Sequence, residues 1–470
     1  MKYPIRNQFC RPAMILLAVL MKCSTTTASA QSADALIDKL VAKGILSVDE
    51  AKELRSESDQ GFSDAVQSKL GMADWVSSYK ISGDFRGRYE HFASDNRAFN
   101  LYDRYRYRLR FGMTVNMQDN LELGFRLGSG DPKASGGNPL SQNSTLQGDF
   151  SDKNIYIDAA YGRWMPVNYD GLTTVITVGK MDNPFNYTWM VFDPDLTPEG
   201  ASLRTAWQIN DRQAVTLTAA TFLLNTAPFN SQFLPPTTVY LYGGQALWNA
   251  QWTDKLSTSV GGGGFKIVNS DQLTTANVPL INQGNTRAIV PVNQGGSLVD
   301  TYALQAQFAP VILDANATYL LDSFPFYNGQ FPLKVGAEFM QNVAANNKNQ
   351  GMWVGFTLGK AGKKGTWDIS YRYEYLEADA WYDQLVDDDN GVFYPGDVPG
   401  ANAGYGYYGG TNVKGHMIRF NYSFTDSLTL TVTSYLNDMI SRDGLVSDVL
   451  VPDNKTSQMF HLMADLTWVF

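Results

Sequence analysis

The stretch RYRYRLRFGMTVNM, residues 104–117, decides the fold because apolar side chains occupy every second position along its length. The apolar positions are Tyr105, Tyr107, Leu109, Phe111, Met113, Val115 and Met117. The other positions are Arg104, Arg106, Arg108, Arg110, Gly112, Thr114 and Asn116. A period of two places the two sets on opposite faces of a β-strand. Four arginines on one face do not fit the core of a β-sandwich. They do not fit a lipid surface either, where each would cost roughly 2–4 kcal/mol near the bilayer midplane.

Similar alternation recurs along the chain, and the segments that show it are separated by connections of two kinds. It occurs in residues 81–92, 121–128, 173–180, 241–252, 332–342, 367–375, 416–424 and 427–436. Short turns occur at 118–120, 253–255 and 425–426, and long polar stretches at 130–152, 182–199, 268–298, 376–412 and 438–456. Short turns on one rim and long loops on the other are typical of outer-membrane β-barrels. The composition agrees, since 50 Tyr and Phe residues and 41 Gly accompany only 18% charged residues.

The number of strands is even if both ends of the barrel lie on the same side of the membrane. Separate strands at 299–309 and 312–320 would give seventeen, so we interpret these residues as one passage. The sequence then predicts an all-β, antiparallel transmembrane barrel of sixteen strands, or of eighteen if one more hairpin exists. A barrel of this size leaves an aqueous lumen. Tryptophans expected in the two interfacial girdles are Trp164, Trp248, Trp252, Trp367 and Trp468.

The first thirty residues have the pattern of a secretory signal peptide. Basic residues precede an apolar run at 13–21, and small residues precede the expected cleavage after Ala30. Cleavage would remove both cysteines, Cys10 and Cys23. It would also remove four basic residues and no acidic one, so the net charge would change from −9 to −13. This acidity argues against nucleic acid as a partner. Lipid attachment at Cys23 is the alternative, which the preceding lysine disfavours.

The following segment predicts helices instead of strands. ADALIDKLVAKG indicates a short helix that ends at Gly44, and SVDEAKELRSES opens with a capping box of Ser47 and Glu50. We therefore predict a signal peptide over 1–30, a periplasmic helical hairpin over 31–72 and the barrel over 75–470. The hairpin is either a simple extension or a contact for oligomerisation or for the cell wall.

The strongest candidate site is a set of arginines on the predicted lumen face of three neighbouring strands. Its members are Arg86, Arg88, Arg104, Arg106, Arg108, Arg110 and Arg126. Like charges so close together need water or acidic partners, and a pore supplies both. The arginines could form a basic wall that attracts anions or orients a passing dipole. Alternatively, they are structural and hold Asp84, Glu90 and an inward loop in place.

Several stretches, in their order and spacing, resemble the putative porin family of Gram-negative outer membranes, whose members carry a helical N-terminal extension. They extend from about residue 36 to the end and are LIDKLVAKGILSVDEAKELRSES, GDFRGRYE, RYRYRLRFG, FRLGSGDPKASGGNPLSQNSTL, VGKMDNPF, VFDPDLTPEG, YRYEYLEADA, GGTNVKGH and WVF. The resemblance implies an outer-membrane channel for small solutes, surrounded by lipid and lipopolysaccharide. It leaves monomer and homotrimer open, although porins of this kind are often trimers.

Porins that resemble this chain narrow the lumen with an inward-folded loop, and VFDPDLTPEG lies at about the corresponding place, in the third long loop. The resemblance thus implies that Asp193, Asp195 and Glu199 face the arginines across a constriction and create a transverse field. Asp182 could contribute. The alternative is that these residues are exposed loop carboxylates.

A second acidic stretch, DQLVDDDNG, could bind a divalent cation or bridge lipopolysaccharide. It lacks the spacing of an EF-hand loop, so we interpret it as a solvated surface loop. Its carboxylates are Asp383, Asp387, Asp388 and Asp389. The GGGG stretch at 261–264 lies within a strand pattern and indicates a bend or close packing.

Catalysis is not predicted. The three histidines, His91, His416 and His461, belong to no catalytic motif or metal-ligand spacing, and the sequence has no nucleotide-binding loop. The sequence therefore predicts no enzyme, no cofactor and no metal.

The C-terminal stretch FHLMADLTWVF predicts a last strand that pairs with the first, near residues 80–92, and so closes the barrel. Phe470 with Trp468 resembles the signal that the barrel-assembly machinery recognises. We therefore predict an outer-membrane porin that passes small hydrophilic solutes passively and whose basic lumen wall favours anions. The alternatives are a channel selective for an anionic sugar, phosphate or carboxylate, and a structural tether acting through residues 31–72.

Overall fold

The structure is a computed structural model that describes residues 73–94, 101–133, 136–226, 238–274, 278–279, 283–294, 296–394, 407–441 and 458–470. The predicted signal peptide and helical hairpin, 1–30 and 31–72, lie outside the described residues. Contacts divide the chain after Asp74, and the unit Trp75–Phe470 contains the barrel. Within the described ranges, no helix combines the length and the apolar character needed to cross a membrane.

Sixteen antiparallel strands form the closed barrel sheet. They are β1 (Val76–Ser94), β2 (Tyr102–Met117), β3 (Leu121–Gly130), β4 (Asn154–Tyr169), β5 (Leu172–Lys180), β6 (Glu199–Asn210), β7 (Gln213–Asn225), β8 (Val239–Gln251), β9 (Leu256–Val268), β10 (Pro310–Leu321), β11 (Phe331–Asn342), β12 (Gln350–Gly359), β13 (Trp367–Leu376), β14 (Val413–Ser423), β15 (Leu428–Met439) and β16 (Met459–Val469). Each pairs with its neighbours in chain order. A two-residue strand of the β3–β4 loop, Ser144–Thr145, pairs in addition with β2. The predicted sixteen-stranded antiparallel barrel is confirmed.

The first and last strands close the barrel, as the C-terminal pattern predicts. They pair from Asp84 opposite Val469 to Ser94 opposite Met459. The ladder continues through Phe470, whose N–H donates to the carbonyl oxygen of Gly83 over 3.1 Å. Over these residues the first and last strands have no unpaired edge, which a lipid environment would not tolerate.

Alternation along the strands separates a lipid face from a lumen face. On β2, Leu109, Phe111 and Met113 are exposed on the outer surface, whereas the inward Arg106 and Arg108 are only 8% and 7% exposed. An apolar outer surface and polar inner positions are what a transmembrane barrel requires. The direction predicted for the arginines follows from this alternation.

Residues that tolerate a positive φ form the short turns on one rim of the barrel. The β2–β3 turn has Asp119 and Asn120 at φ of 60° and 59°, and the β4–β5 turn has Asp170 and Gly171 at 43° and 77°. Positive φ at two successive residues is the conformation that tight hairpin turns use, and these residue types tolerate it. On the other rim, the connections at 181–198, 269–309 and 377–412 are long; we call them loops L3, L5 and L7.

One strand prediction is wrong. Residues 299–309 and 312–320 do not form one passage, because the barrel strand begins only at Pro310. The segment Ser297–Leu304 instead pairs with Arg287–Gln294 in a separate hairpin within L5. The number of barrel strands is still even because that hairpin adds no strand to the barrel. Its alternating sequence alone does not distinguish a loop hairpin from a barrel strand.

Candidate functional site

The basic wall is the set of arginines that β1 and β2 direct into the lumen: Arg86, Arg88, Arg104, Arg106, Arg108 and Arg110. In the strand register, Arg86 lies opposite Arg108 and Arg88 lies opposite Arg106. Like charges directly opposite each other destabilise a ladder. The structure of the site is therefore largely determined by how these cations are paired.

Carboxylates on the wall itself compensate part of this charge. Asp84 accepts from Nε of Arg108 over 3.0 Å and from Nε of Arg110 over 2.5 Å. Arg88 forms two parallel bonds with Asp465, of 2.7 and 2.8 Å, and so joins β1 to β16. Bidentate pairs of this kind fix the orientation of a guanidinium.

Glu90 pairs with Arg104 and Arg106 at one end of the basic wall. Its Oε2 accepts from Nε of Arg104 over 2.5 Å, and its Oε1 lies 3.8 Å from Nη1 of Arg106. The inward His461 of β16 places Nε2 3.9 Å from the same Oε1. Glu90 is fully buried, and these contacts pair its carboxyl group with the arginines of the basic wall.

Loop L3 crosses the lumen, because successive residues bond to strands on different sides of the barrel. The N–H of Asn186 donates to Oε1 of Gln245 on β8 over 2.8 Å. The N–H and hydroxyl of Thr188 both donate to Glu338 on β11, over 3.2 and 2.5 Å. The inward fold that the resemblance implied for this loop is therefore present.

The far end of L3 meets the basic wall at Asp195. Nη1 of Arg108 donates to Oδ1 of Asp195 over 2.9 Å, and Nη1 of Arg110 lies 3.8 Å from the same oxygen. Burial alone would raise the pKa of Asp195, but the guanidinium groups of Arg108, Arg86 and Arg110 lower it below its usual value. Asp195 is therefore a stable negative charge facing the wall.

Loop L7 also enters the lumen, so the interpretation of DQLVDDDNG as a solvated surface loop is wrong. Asp383 is fully buried and lies 3.1 Å from Nη2 of Arg287 in L5. Oδ2 of Asp389 accepts from Nη1 of Arg88 over 3.1 Å. The cations that stabilise these carboxylates come from distant parts of the chain, which is why the local sequence resembles an exposed loop.

Three carboxylates meet where L3 and L7 touch; we call Asp193, Asp387 and Asp388 the acidic cluster. One oxygen of each lies within 4.8 Å of the others. Burial and the neighbouring negative charges raise the pKa of all three, that of Asp387 to about 7. The two backbones are joined beside the cluster, since Asp193 N–H donates to the Leu385 carbonyl and Asp387 N–H to that of Trp189.

Two further arginines point into the lumen from β13 and β14 and contact L3 at Trp189. The Cζ of Arg419 on β14 lies 4.0 Å from the ring centroid of Trp189, and that of Arg372 on β13 lies 5.1 Å from it. These are cation–π distances. The sequence analysis missed both arginines because each is single on its strand. The alternation in YRYEY and IRFNY could have placed both arginines on the lumen face. Their contact with Trp189 could not be predicted, because the position of that tryptophan depends on how L3 folds.

An apolar core inside the barrel holds the two loops. Trp381 of L7 is fully buried, with its ring centroid 5.4 Å from that of Phe265 and 6.3 Å from that of Phe192. Its Nε1 donates to the Val191 carbonyl over 2.9 Å. The lumen is thus partly filled by two loops, whereas the sequence analysis expected only the loop that contains VFDPDLTPEG to fold inward.

The GGGG stretch makes room for this core. A Cβ on Gly263 would lie 2.4 Å from the hydroxyl oxygen of Tyr187 in L3 and 2.1 Å from the carbonyl oxygen of Gly244. Contacts that short do not occur, so only glycine allows L3 to lie against β9. The predicted close packing at this stretch is confirmed.

A cavity of about 310 Å³ remains between the basic wall, L3 and L7; we call it the eyelet. Its charged lining consists of five arginines and six aspartates. They are Arg86, Arg88, Arg108, Arg110 and Arg419, with Asp193, Asp195, Asp387, Asp388, Asp389 and Asp465.

Four of the predicted charged site residues do not line the eyelet. Two of them, Arg104 and Arg106, pair with Glu90 on the basic wall. The other two are Arg126 and Glu199. Arg126 bonds to Asp158 on β4 and, over 2.7 Å, to Asp182 of L3. Glu199 begins β6 and pairs with Lys180 over 3.1 Å. Neither is among the described residues that line the eyelet.

Both residues of the predicted insertion signal lie on the outer surface. Trp468 is 38% exposed and packs against Phe85 with ring centroids 5.7 Å apart. The ring of Phe470 covers Gly83, where a Cβ would lie 2.5 Å from its Cζ.

A closed sixteen-stranded barrel with an apolar exterior and a loop across a charged lumen defines a porin-type channel of the outer membrane. In agreement, residues 100–291 match the model of a family described as "Putative porin", which confirms the resemblance seen in the sequence. No curated protein matches the sequence.

The solved structures that are similar to the chain include two porins. The Pseudomonas putida OprB structure at high pH has 12% identity and a TM-score of 0.47 and covers 83% of this chain and 94% of that one. A mutant of the Rh. blastica porin has 10% identity and a TM-score of 0.39 and covers 84% and 100%.

Proposed function

We propose that the protein lets small hydrophilic solutes diffuse passively across the outer membrane through the eyelet. The observation that carries this proposal is the opening itself, since L3 and L7 narrow the lumen but leave about 310 Å³ of charged space. A single water molecule requires only roughly 10–15 Å³ by the same kind of measure. The eyelet therefore has room for a hydrated ion or a small polar molecule.

The arrangement of charge supports a role in orienting solutes. Arg108 and Asp195 project from opposite sides, the first from β2 and the second from L3, and they meet at 2.9 Å at the edge of the opening. A dipolar solute would align with the resulting field as it passes. Zwitterions and polar neutral molecules are thus expected to permeate.

The anion preference predicted from the arginines depends on the acidic cluster. Five arginines face six aspartates, so the lining has a formal charge of −1 if all groups are ionised. Neutralising the acidic cluster with protons or a bound cation would leave the arginines in excess. We propose that the channel favours anions only in that condition.

A second candidate, a substrate-selective channel, is favoured by a recess of about 320 Å³ next to the eyelet. Trp189, Trp353 and Glu338 line it, and the buried Trp353 Nε1 and Tyr187 hydroxyl have no hydrogen-bond partner among the described residues. Aromatic faces beside unpaired polar groups suit a specific ligand.

Several partners belong to the same proposal. Lipid and lipopolysaccharide would surround the barrel, and the barrel-assembly machinery would recognise Phe470 and Trp468. A homotrimer and a tether through 31–72 remain predictions, the latter outside the described residues.

Conductance in a planar bilayer tests the function. Open, weakly selective currents that rise linearly with salt concentration support passive diffusion. Currents that one solute blocks in a saturable manner would favour the selective channel, and silence of a correctly folded protein would refute both.

A further inference from the structure

We propose that the acidic cluster is a divalent-cation site that takes Ca²⁺ and links L3 to L7. Its ligands are the carboxylates of Asp193, Asp387 and Asp388. This inference goes beyond passive transport, and it is tested by binding instead of by current.

The first observation is that these carboxylates converge without cations of their own. One oxygen of each lies within 4.8 Å of the other two. Among the residues that the structure describes, neither Asp193 nor Asp388 has a basic nitrogen within 4.0 Å, and Asp387 has only Nη2 of Arg372 at 3.8 Å.

The other aspartates of the eyelet differ in this respect. Asp195, Asp389 and Asp465 each have an arginine nitrogen within 3.1 Å. Among the six aspartates that line the eyelet, the lack of a close counter-charge is therefore particular to the acidic cluster.

The second observation is an unpartnered atom. The Asp387 residue is only 5% exposed, and its Oδ1 accepts from the N–H of Asp389 over 3.1 Å. Its Oδ2 is buried and accepts no hydrogen bond from a described residue, and the nearest basic nitrogen to it is Nη2 of Arg372, at 3.8 Å. A buried carboxylate oxygen without a donor costs free energy unless something else binds it.

The donor set selects the kind of ion. Three carboxylates and no nitrogen or sulfur ligand suit a hard cation and not Zn²⁺. Ca²⁺ accepts irregular sets of oxygen ligands, whereas Mg²⁺ demands near-ideal octahedral geometry. The cluster borders the eyelet, from which water can supply the remaining ligands.

Binding would have two consequences. Asp193 belongs to L3 and the other two ligands to L7, so the ion would reinforce the two backbone hydrogen bonds that already join these loops. It would also add two positive charges to the eyelet and shift its selectivity toward anions.

Calorimetric titration with Ca²⁺ of the full chain in detergent, stripped with a chelator, tests the site. We expect one saturable site with Kd on the order of 10⁻⁴–10⁻³ M, the range of extracellular calcium modules. Asp387→Asn and Asp388→Asn should each weaken binding at least about tenfold, a loss of about 1.4 kcal/mol. The control Asp149→Asn makes the same chemical change at an exposed position whose positive φ asparagine tolerates.

Two results would overturn the proposal. One is the absence of saturable binding at millimolar Ca²⁺, and the other is binding that persists in the double variant Asp387→Asn/Asp388→Asn. Circular dichroism and bilayer current, recorded on the same samples, verify that each variant is a folded channel. Loss of Ca²⁺ binding in the variants with currents retained is the result that the proposed site predicts, whereas absence of currents in the wild type contradicts only the proposed transport.

Discussion

Neutralising one charge at the eyelet should change the ion selectivity by an amount that can be worked out from the structure. The residues are Arg108 on the basic wall and Asp195 on L3, which meet at 2.9 Å. Both line the eyelet, whose volume of about 310 Å³, treated as a sphere, gives a radius of about 4 Å. An ion at the centre therefore lies about 4 Å from the altered charge.

At about 4 Å, one elementary charge changes the energy of a monovalent ion by about 1 kcal/mol in water. Screening at roughly 0.1 M salt reduces this to about 0.7 kcal/mol. Cations and anions shift in opposite directions, so Arg108→Gln should raise the cation-to-anion permeability ratio about tenfold, corresponding to about 1.4 kcal/mol. The reversal potential in a tenfold salt gradient should move by roughly 40 mV, within the limit of about 59 mV.

The matched variant Asp195→Asn should move the reversal potential by a similar amount in the opposite direction. The double variant Arg108→Gln/Asp195→Asn should return close to the wild-type value, because the net charge of the lining is restored. Bilayer recordings at two salt concentrations also test the screening, since the shift should shrink as ionic strength rises. An unchanged reversal potential in both single variants, or shifts of the same sign, would refute the assignment of the eyelet as the ion path.

Three further substitutions probe what holds the loops and the barrel. Trp381→Ala should speed hydrogen exchange in L3 and L7 by more than roughly a hundredfold, since removing a buried Trp costs about 3–5 kcal/mol, while exchange in the barrel strands stays unchanged. Gly263→Val should displace Tyr187, lower stability by about 1–3 kcal/mol in urea and alter single-channel conductance. Asp465→Asn should destabilise closure of the barrel by about 3 kcal/mol in urea, because it leaves Arg88 without its bidentate partner.

Each of these three substitutions has a control, which is the same substitution at a residue that lacks the contact under test. Trp252→Ala removes a half-exposed tryptophan on the outer surface and should leave loop exchange unchanged. A Cβ on Gly244 would meet only the Thr218 carbonyl oxygen, at 3.8 Å, so Gly244→Val should preserve conductance. Asp254→Asn breaks only an exposed pair and should not change urea stability measurably. If a variant and its control had equal effects, the contact assigned to the substituted residue would be contradicted.

The sequence by itself determined the barrel. Period-two alternation is a local property of the backbone, so RYRYRLRFGMTVNM alone predicts which side chains face lipid and which face the lumen. Closure between the first and last strands also follows, because an unpaired edge in lipid is prohibitively costly. The error at 299–320 shows the limit of the same signal. The hairpin of Arg287–Gln294 and Ser297–Leu304 alternates like a barrel strand, and only its packing distinguishes the two.

The tertiary structure decided what the lumen contains. Arg88 takes its partners Asp465 and Asp389 from positions 377 and 301 residues away, and no local pattern specifies such pairings. The sequence of L7 is rich in charge and resembles an exposed loop, yet Asp383 and Asp387 are buried. Charged residues become buried only where the fold brings a counter-charge or another ligand to them, which depends on the arrangement of the whole barrel and its inner loops.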